Sequence, residues 1–334
     1  MRHTRNRNRR ITSLALITIG IIAMLVSVRY ARSQIRVSTD LVLVPVTARD
    51  ADGEFVSGLT KDDFTVLEDG KVQQVTSFDN EPRNISAAIV IDDGVGGLAL
   101  TRVASKLDIL AGGFNPADET SVYRYSGIVD KLSDFSSDPK ETLKSFVVIS
   151  KMADARPEEQ HEVITGGPGW LRSVLGVFPD GSKGTAKNHV LHNAIYDAAA
   201  ALQLRSQERR RVIFLISDGV DSGKANTHSL KDNIEFLFKH QIQVFAVSTD
   251  YASFGSYGSL TNYANATGGD VLNGATDAAI EHAFVQIPEQ PRRQYILGYT
   301  SNSEKSGARK IEVRARESNL KLTYRTGYTR LGAK

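Results

Sequence analysis

The sequence predicts an α/β protein: a doubly wound, mostly parallel sheet with helices on both faces and antiparallel β segments at both ends. Three observations predict it. Near-continuous apolar runs at 85–91 and 212–217 have the character of strands covered on both faces. Helical patterns and further strands alternate with them through the middle of the chain. Runs of period two, broken by turn signals, occupy 35–78 and return beyond Pro291.

At the N-terminus, Arg2, Arg5, Arg7, Arg9 and Arg10 precede an uncharged, mostly apolar run at 11–28, which Arg29 ends. A basic head before an apolar stretch is a signal-peptide or membrane-anchor pattern, assigned here to residues 1–33. Both forms stay open. The run just reaches the roughly 17–25 residues that span a bilayer. Cleavage near 31–33 meets Arg32 where a small residue is preferred. In either case the basic head stays inside and the rest is translocated.

Residues 35–80 form a β-rich segment. Its strands at 41–48, 63–68 and 72–78 are punctuated by Asp52-Gly53 and Asp69-Gly70. Residues 84–290 form the α/β body. Strands are expected at 85–91, 121–125, 212–217, 242–248 and 270–272. Helices are expected at 98–110, 140–148, 186–204, 229–240, 260–266 and 277–287. Residues 150–187, with Pro157, Gly166-Gly167-Pro168-Gly169 and Trp170, read as a surface insertion. Residues 291–328 close the chain with strands at 294–300, 310–316 and 320–325, which are expected to pair with the first β segment.

Composition narrows the function. The 334 residues carry 41 Lys+Arg against 38 Asp+Glu, a net charge of only +3, so no nucleic-acid-binding field is expected over the body. Cysteine is absent, which excludes disulfides, thiolate metal sites and a cysteine nucleophile.

Ligands of open α/β sheets bind at the carboxyl ends of the strands. Two such ends are acidic: Asp92-Asp93-Gly94-Val95-Gly96-Gly97 and Ser217-Asp218-Gly219-Val220-Asp221. Asp92, Asp93 and Asp218 are therefore candidate ligands for Mg²⁺ or another divalent cation, which takes about six oxygens. The same aspartates equally serve as caps at the positive ends of the helices that follow.

These acid-tipped strands resemble the von Willebrand factor A family. The flanks are similar to the family's acidobacterial relatives: Gly58-Leu59-Thr60-Lys61-Asp62-Asp63-Phe64 and Glu68-Asp69-Gly70 at the start, Gln294-Tyr295-Ile296-Leu297-Gly298-Tyr299 and Arg325-Thr326-Gly327-Tyr328 at the close. The resemblance implies a metal-ion-dependent adhesion site with Asp92 as first aspartate and Asp218 as the late one. The site is degenerate, because Gly94 and Gly96 stand where two serines belong. His189 occupies the middle threonine's place, with Thr185 nearby.

Rival patterns are weaker. Gly94 to Ala99 fits G-x-G-x-x-A, but Asp92 and Asp93 before it repel a pyrophosphate, and no acid follows the next strand to hold a ribose. No H-E-x-x-H or G-x-S-x-G occurs. His189 and His192 read as a surface pair without an acidic partner. Arg205, Arg209, Arg210 and Arg211 read as a solvated helix end. The expected function is an exported cell-envelope module that binds a protein or another envelope macromolecule and is not an enzyme. It touches the membrane through its N-terminal segment if that is retained. A doubly wound hydrolase or nucleotide-dependent enzyme and a structural envelope component are the alternatives.

Overall fold

Every residue of β5 (Ile85–Asp92) is buried, and so are all but the first of β8 (Arg210–Ser217) and all of β9 (Ile242–Ser248). Such runs fold only as the middle of a sheet covered on both sides. A computed structural model of the chain describes residues 41–155, 189–249, 258–301, 303 and 306–330. In it these three strands are the centre of a six-stranded sheet. The sheet also contains β6 (Glu119–Tyr125), β7 (Val129–Lys131) and β10 (Val271–Asn273), in the order β10-β9-β8-β5-β6-β7. The first five are mutually parallel, and β7 turns back antiparallel on the edge.

Side chains alternate between the two faces of a strand, and each face builds its own core. On one side Ile89, Ile91, Phe214, Ile216, Phe245 and Val247 meet helices α1 (Gly97–Ala104), α2 (Leu107–Gly112), α3 (Pro139–Asp154) and α7 (Asp277–Gln286). On the other side Ala88, Val90, Ile213, Leu215, Val244 and Ala246 meet α4 (Leu191–Leu202), α5 (Leu230–Lys239) and α6 (Gly258–Thr267). Several helices start at side-chain caps. Asp138 accepts from the Lys140 N–H ahead of Pro139, and Ser229 and Thr276 cap α5 and α7.

The two chain ends build a second body of β structure. Strands β1 (Leu41–Arg49), β4 (Val75–Asp79), β11 (Tyr295–Thr300) and β13 (Lys321–Tyr324) form one sheet in the order β13-β1-β11-β4. Strands β2 (Phe64–Glu68), β3 (Lys71–Gln73), β12 (Gly307–Ala315) and β14 (Gly327–Arg330) form another in the order β14-β12-β2-β3. Val42, Val44, Val46, Phe64, Val66, Leu297, Tyr299, Ile311 and Val313 share one core between them. The first and last segments therefore pair with each other, as the sequence led us to expect.

Some details differ from that expectation. The helix expected at 98–110 is two helices, broken at Ser105-Lys106, and the one expected at 140–148 continues to Asp154. Residues 150–155 thus belong to α3, and the rest of the expected insertion, up to 188, lies outside the described residues. Residues 1–40, with the basic head and apolar run, lie outside them too. Among the described residues no helix is long and apolar enough to cross a membrane.

Candidate functional site

Strands β5 and β8 are adjacent and in parallel register, with Ile91 opposite Ile216. Asp92 and the Ser217-Asp218 pair therefore emerge side by side at the carboxyl rim, where a doubly wound sheet opens its crevice. On the other side of β5, Tyr125 of β6 is opposite Asp92.

The side chain of Asp92 is completely buried, and protein donors hold it there. Its Oδ1 accepts from the Gly94 N–H at 2.8 Å. Its Oδ2 is 3.0 Å from the hydroxyls of both Tyr125 and Ser217, which are themselves 2.8 Å apart. Burial, and then the negative charge of Asp92, push the Tyr125 phenol well above its usual range. Gly219, with φ of +80°, turns the chain after β8 in a left-handed conformation that costs glycine little. Its N–H donates to the Ser217 hydroxyl.

His189 covers this cluster. Its N–H donates to the Ser222 hydroxyl and its carbonyl accepts from the Ser222 N–H. The next residue, Val190, donates to the Ser126 carbonyl at the end of β6. The segment thus bridges the loops beyond β6 and β8 and holds the imidazole over β5. Nδ1 is 3.7 Å from Asp92 Oδ1, an ion pair when the ring is protonated. Asp92, with help from Asp218 and Asp221 and against burial, holds the His189 pKa above its ordinary value. His192 points to a different acid: its Nε2 is 3.4 Å from Asp221, and its Nδ1 is 2.9 Å from the Tyr263 hydroxyl. Burial lowers its pKa. The two histidines are therefore largely buried, each with its own carboxylate, and do not form the surface pair the sequence suggested.

One of the three candidate aspartates turns away from the other two. Asp93 follows Asp92 and, by strand alternation, turns to the opposite face. There its carboxylate is 2.5 Å from Arg124, which also pairs with Asp130. Asp218 stays on the rim and accepts from the Val220 N–H at 2.8 Å.

No family model matches the chain, and no curated protein does either. Solved structures do. The von Willebrand factor domain of the type V pili tip protein Mfa5 from Porphyromonas gingivalis is 10% identical, with 62% of this chain and 95% of that one covered at a TM-score of 0.42. A von Willebrand factor type A protein from Catenulispora acidiphila is 8% identical, covering 88% and 74% at 0.41. Proximal thread matrix protein 1 from the mussel byssus, with a zinc-occupied adhesion motif, is 12% identical, covering 67% and 49% at 0.40.

The six-stranded sheet with helices on both faces is a doubly wound α/β fold. A hard cation such as Mg²⁺ takes about six oxygens, and the side chains at this rim offer few of them. Gly94 and Gly96 bring no side-chain oxygen. A side chain at 94 also has no room, because a Cβ there lies 2.6 Å from His189 Cε1 and 3.0 Å from Asp92 Oδ1. Asp92 already accepts from Gly94, Tyr125 and Ser217, and Asp93 faces Arg124. Among the described residues no group of three or more His, Asp or Glu is placed to hold a metal ion. The His189 imidazole stands where the sequence resemblance places a threonine.

Three large apolar side chains are exposed at this end of the sheet. Leu98 in the first turn of α1, Ile128 in the turn after β6 and Val220 after β8 are 72%, 63% and 49% exposed, all beyond the ends of three adjacent strands. Sequence reasoning missed the roles of Tyr125 and Ser217 and these exposed apolar residues. The register of β5 with its two neighbours was the signal that pointed to the first two.

Proposed function

We propose that this chain is an exported cell-envelope protein that binds a protein partner through the loops at the carboxyl rim, without a metal ion and without catalysis. The observation that carries the reading is the exposure of Leu98, Ile128 and Val220 at the same end of the sheet as the His189–Asp92 pair. Large apolar side chains exposed at the same rim are candidate protein-contact residues. The Ser217 and Tyr125 hydroxyls are fully buried and directed at Asp92, which supports a bracing duty rather than attack on a substrate. Export is supported by the basic head and apolar run at 2–28.

The test compares capture from envelope extract by the full chain and by a Leu98→Glu, Val220→Glu variant. Both sites are exposed, so the fold is expected to survive, as thermal unfolding checks. The reading requires at least one protein whose capture falls about tenfold or more in the variant. Capture that is the same for both chains sinks it.

A further inference from the structure

At the opposite, amino-terminal end of β8 and β9, a cleft of about 260 Å³ lies between the α/β sheet and the β1-β11-β4 sheet. Five arginines line it: Arg83, Arg209, Arg210, Arg211 and Arg325. Asp79 is the one carboxylate among its lining residues. Sequence alone placed 209–211 at a solvated helix end. Instead Arg211 is only 5% and Arg325 only 6% exposed.

Their charges are poorly met. Asp79 is 2.7 Å from Arg83 but 3.9 Å from Arg210. Arg209 is taken up by Ser86, Glu119 and the carbonyls of Ile85 and Ala117. Among the described residues no carboxylate is within ion-pair distance of Arg211 or Arg325. Arg325 rests on the Phe238 ring and donates to the Leu43 carbonyl. Nε of Arg210, Arg211 and Arg325, and Nη2 of Arg210, are buried with no hydrogen-bond acceptor. Burial lowers the pKa of all three, that of Arg325 to about 10. Uncompensated buried guanidinium groups cost stability, and an anion in the cleft supplies what they lack. The remaining wall is mixed: Leu41, Leu43, Phe238 and Ile296 form an apolar part of it, beside Ser77, Thr267 and three glutamines.

We infer that this cleft binds a small organic oxyanion, a carboxylate or phosphate monoester bearing a short apolar group. Guanidinium forks match two-oxygen acceptors in geometry and charge. The apolar part of the wall takes the organic group.

Titration calorimetry of the full chain with hexyl phosphate, hexanoate and inorganic phosphate tests the inference. Hexyl phosphate or hexanoate is expected to bind about tenfold or more tightly than inorganic phosphate, more weakly as salt rises. The tighter of the two identifies the headgroup. Arg211→Met is expected to weaken binding by about tenfold or more while the unliganded chain melts no lower than wild type, because an unpaired buried charge is removed. A merely structural arginine gives the reverse pattern. If that variant does not fold, Arg83→Ala at the exposed lip is expected to weaken binding several-fold. Three outcomes overturn the inference: no binding of any of these anions at millimolar concentration, inorganic phosphate binding as tightly as the hexyl ligands, or affinity unchanged in whichever variants fold.

Discussion

At the scale of single residues, the rim is organised by one histidine. His189 has its charge stabilised by Asp92, so its folded-state pKa lies above the 6.5 of a free imidazole. The folded chain therefore holds this proton more tightly than the unfolded chain. The resulting stabilisation is complete below about pH 6.5 and fades as pH rises through the folded value. His189→Gln is expected to lower stability clearly at about pH 5.5 and much less at about pH 9, as urea unfolding at both pH values would measure. His192 has a lowered pKa and acts in the opposite direction, but it is present in both chains and cancels in the comparison. A difference independent of pH sinks the prediction. Asp92 and Asp218 were legible in the sequence because acids directly after buried apolar runs leave few places for them. The position of His189 over Asp92 was not legible. It depends on hydrogen bonds to Ser222 and Ser126, which are far away in the chain and brought close only by the sheet.

At the scale of elements, the loop from β5 to α1 and the lead into α4 are fitted to each other. Gly94 belongs to the first and His189 to the second, and a Cβ at 94 falls 2.6 Å from the imidazole. Gly94→Ser supplies the hydroxyl that the sequence resemblance expects here but overpacks this contact. It is expected to cost about 1–3 kcal/mol by denaturant midpoint. In a His189→Ala chain the same change is expected to cost less than about 1 kcal/mol, since residues in contact do not act additively. Equal costs in the two backgrounds would mean that the contact is slack. The strands β5, β8 and β9 were legible because their apolar runs are continuous, and α3, α5 and α7 because Asp138, Ser229 and Thr276 mark their starts. The break between α1 and α2 was not, because apolar residues continue at helical spacing on both sides of Ser105-Lys106. The edge strand β7 and the four-residue β14 owe their form to their neighbours, Tyr123–Tyr125 for one and the start of β12 for the other.

At the scale of the whole molecule, the described residues fall into parts that depend on the chain ends to different degrees. The buried residues of the two α/β cores run only from Ile85 to Ile287. The β body needs both ends: β1 pairs with β11 and β13, β4 with β11, and β2 with β12. A chain ending at residue 293 keeps every buried residue of the α/β cores but removes Tyr295, Leu297, Tyr299, Ile311, Val313 and Tyr328 from the shared core. Val42, Val44, Val46, Phe64 and Val66 then lose their cover, and β1 and β2 become apolar edges. The two parts also meet through polar bonds. Gln243 of β9 donates to Gln294, which in turn donates to Thr47 of β1 and to the Gly268 carbonyl. The shortened chain is expected to retain one cooperative transition with a smaller dependence on denaturant, since less surface is exposed on unfolding, and to bind an apolar dye in its folded state. An unchanged denaturant slope with no dye binding would show that the first β segment stands without its C-terminal partners, against the pairing described here. Complete loss of any transition would show instead that the α/β sheet depends on the Gln243–Gln294 junction, and that the β body is part of what holds the rim and its histidine in place.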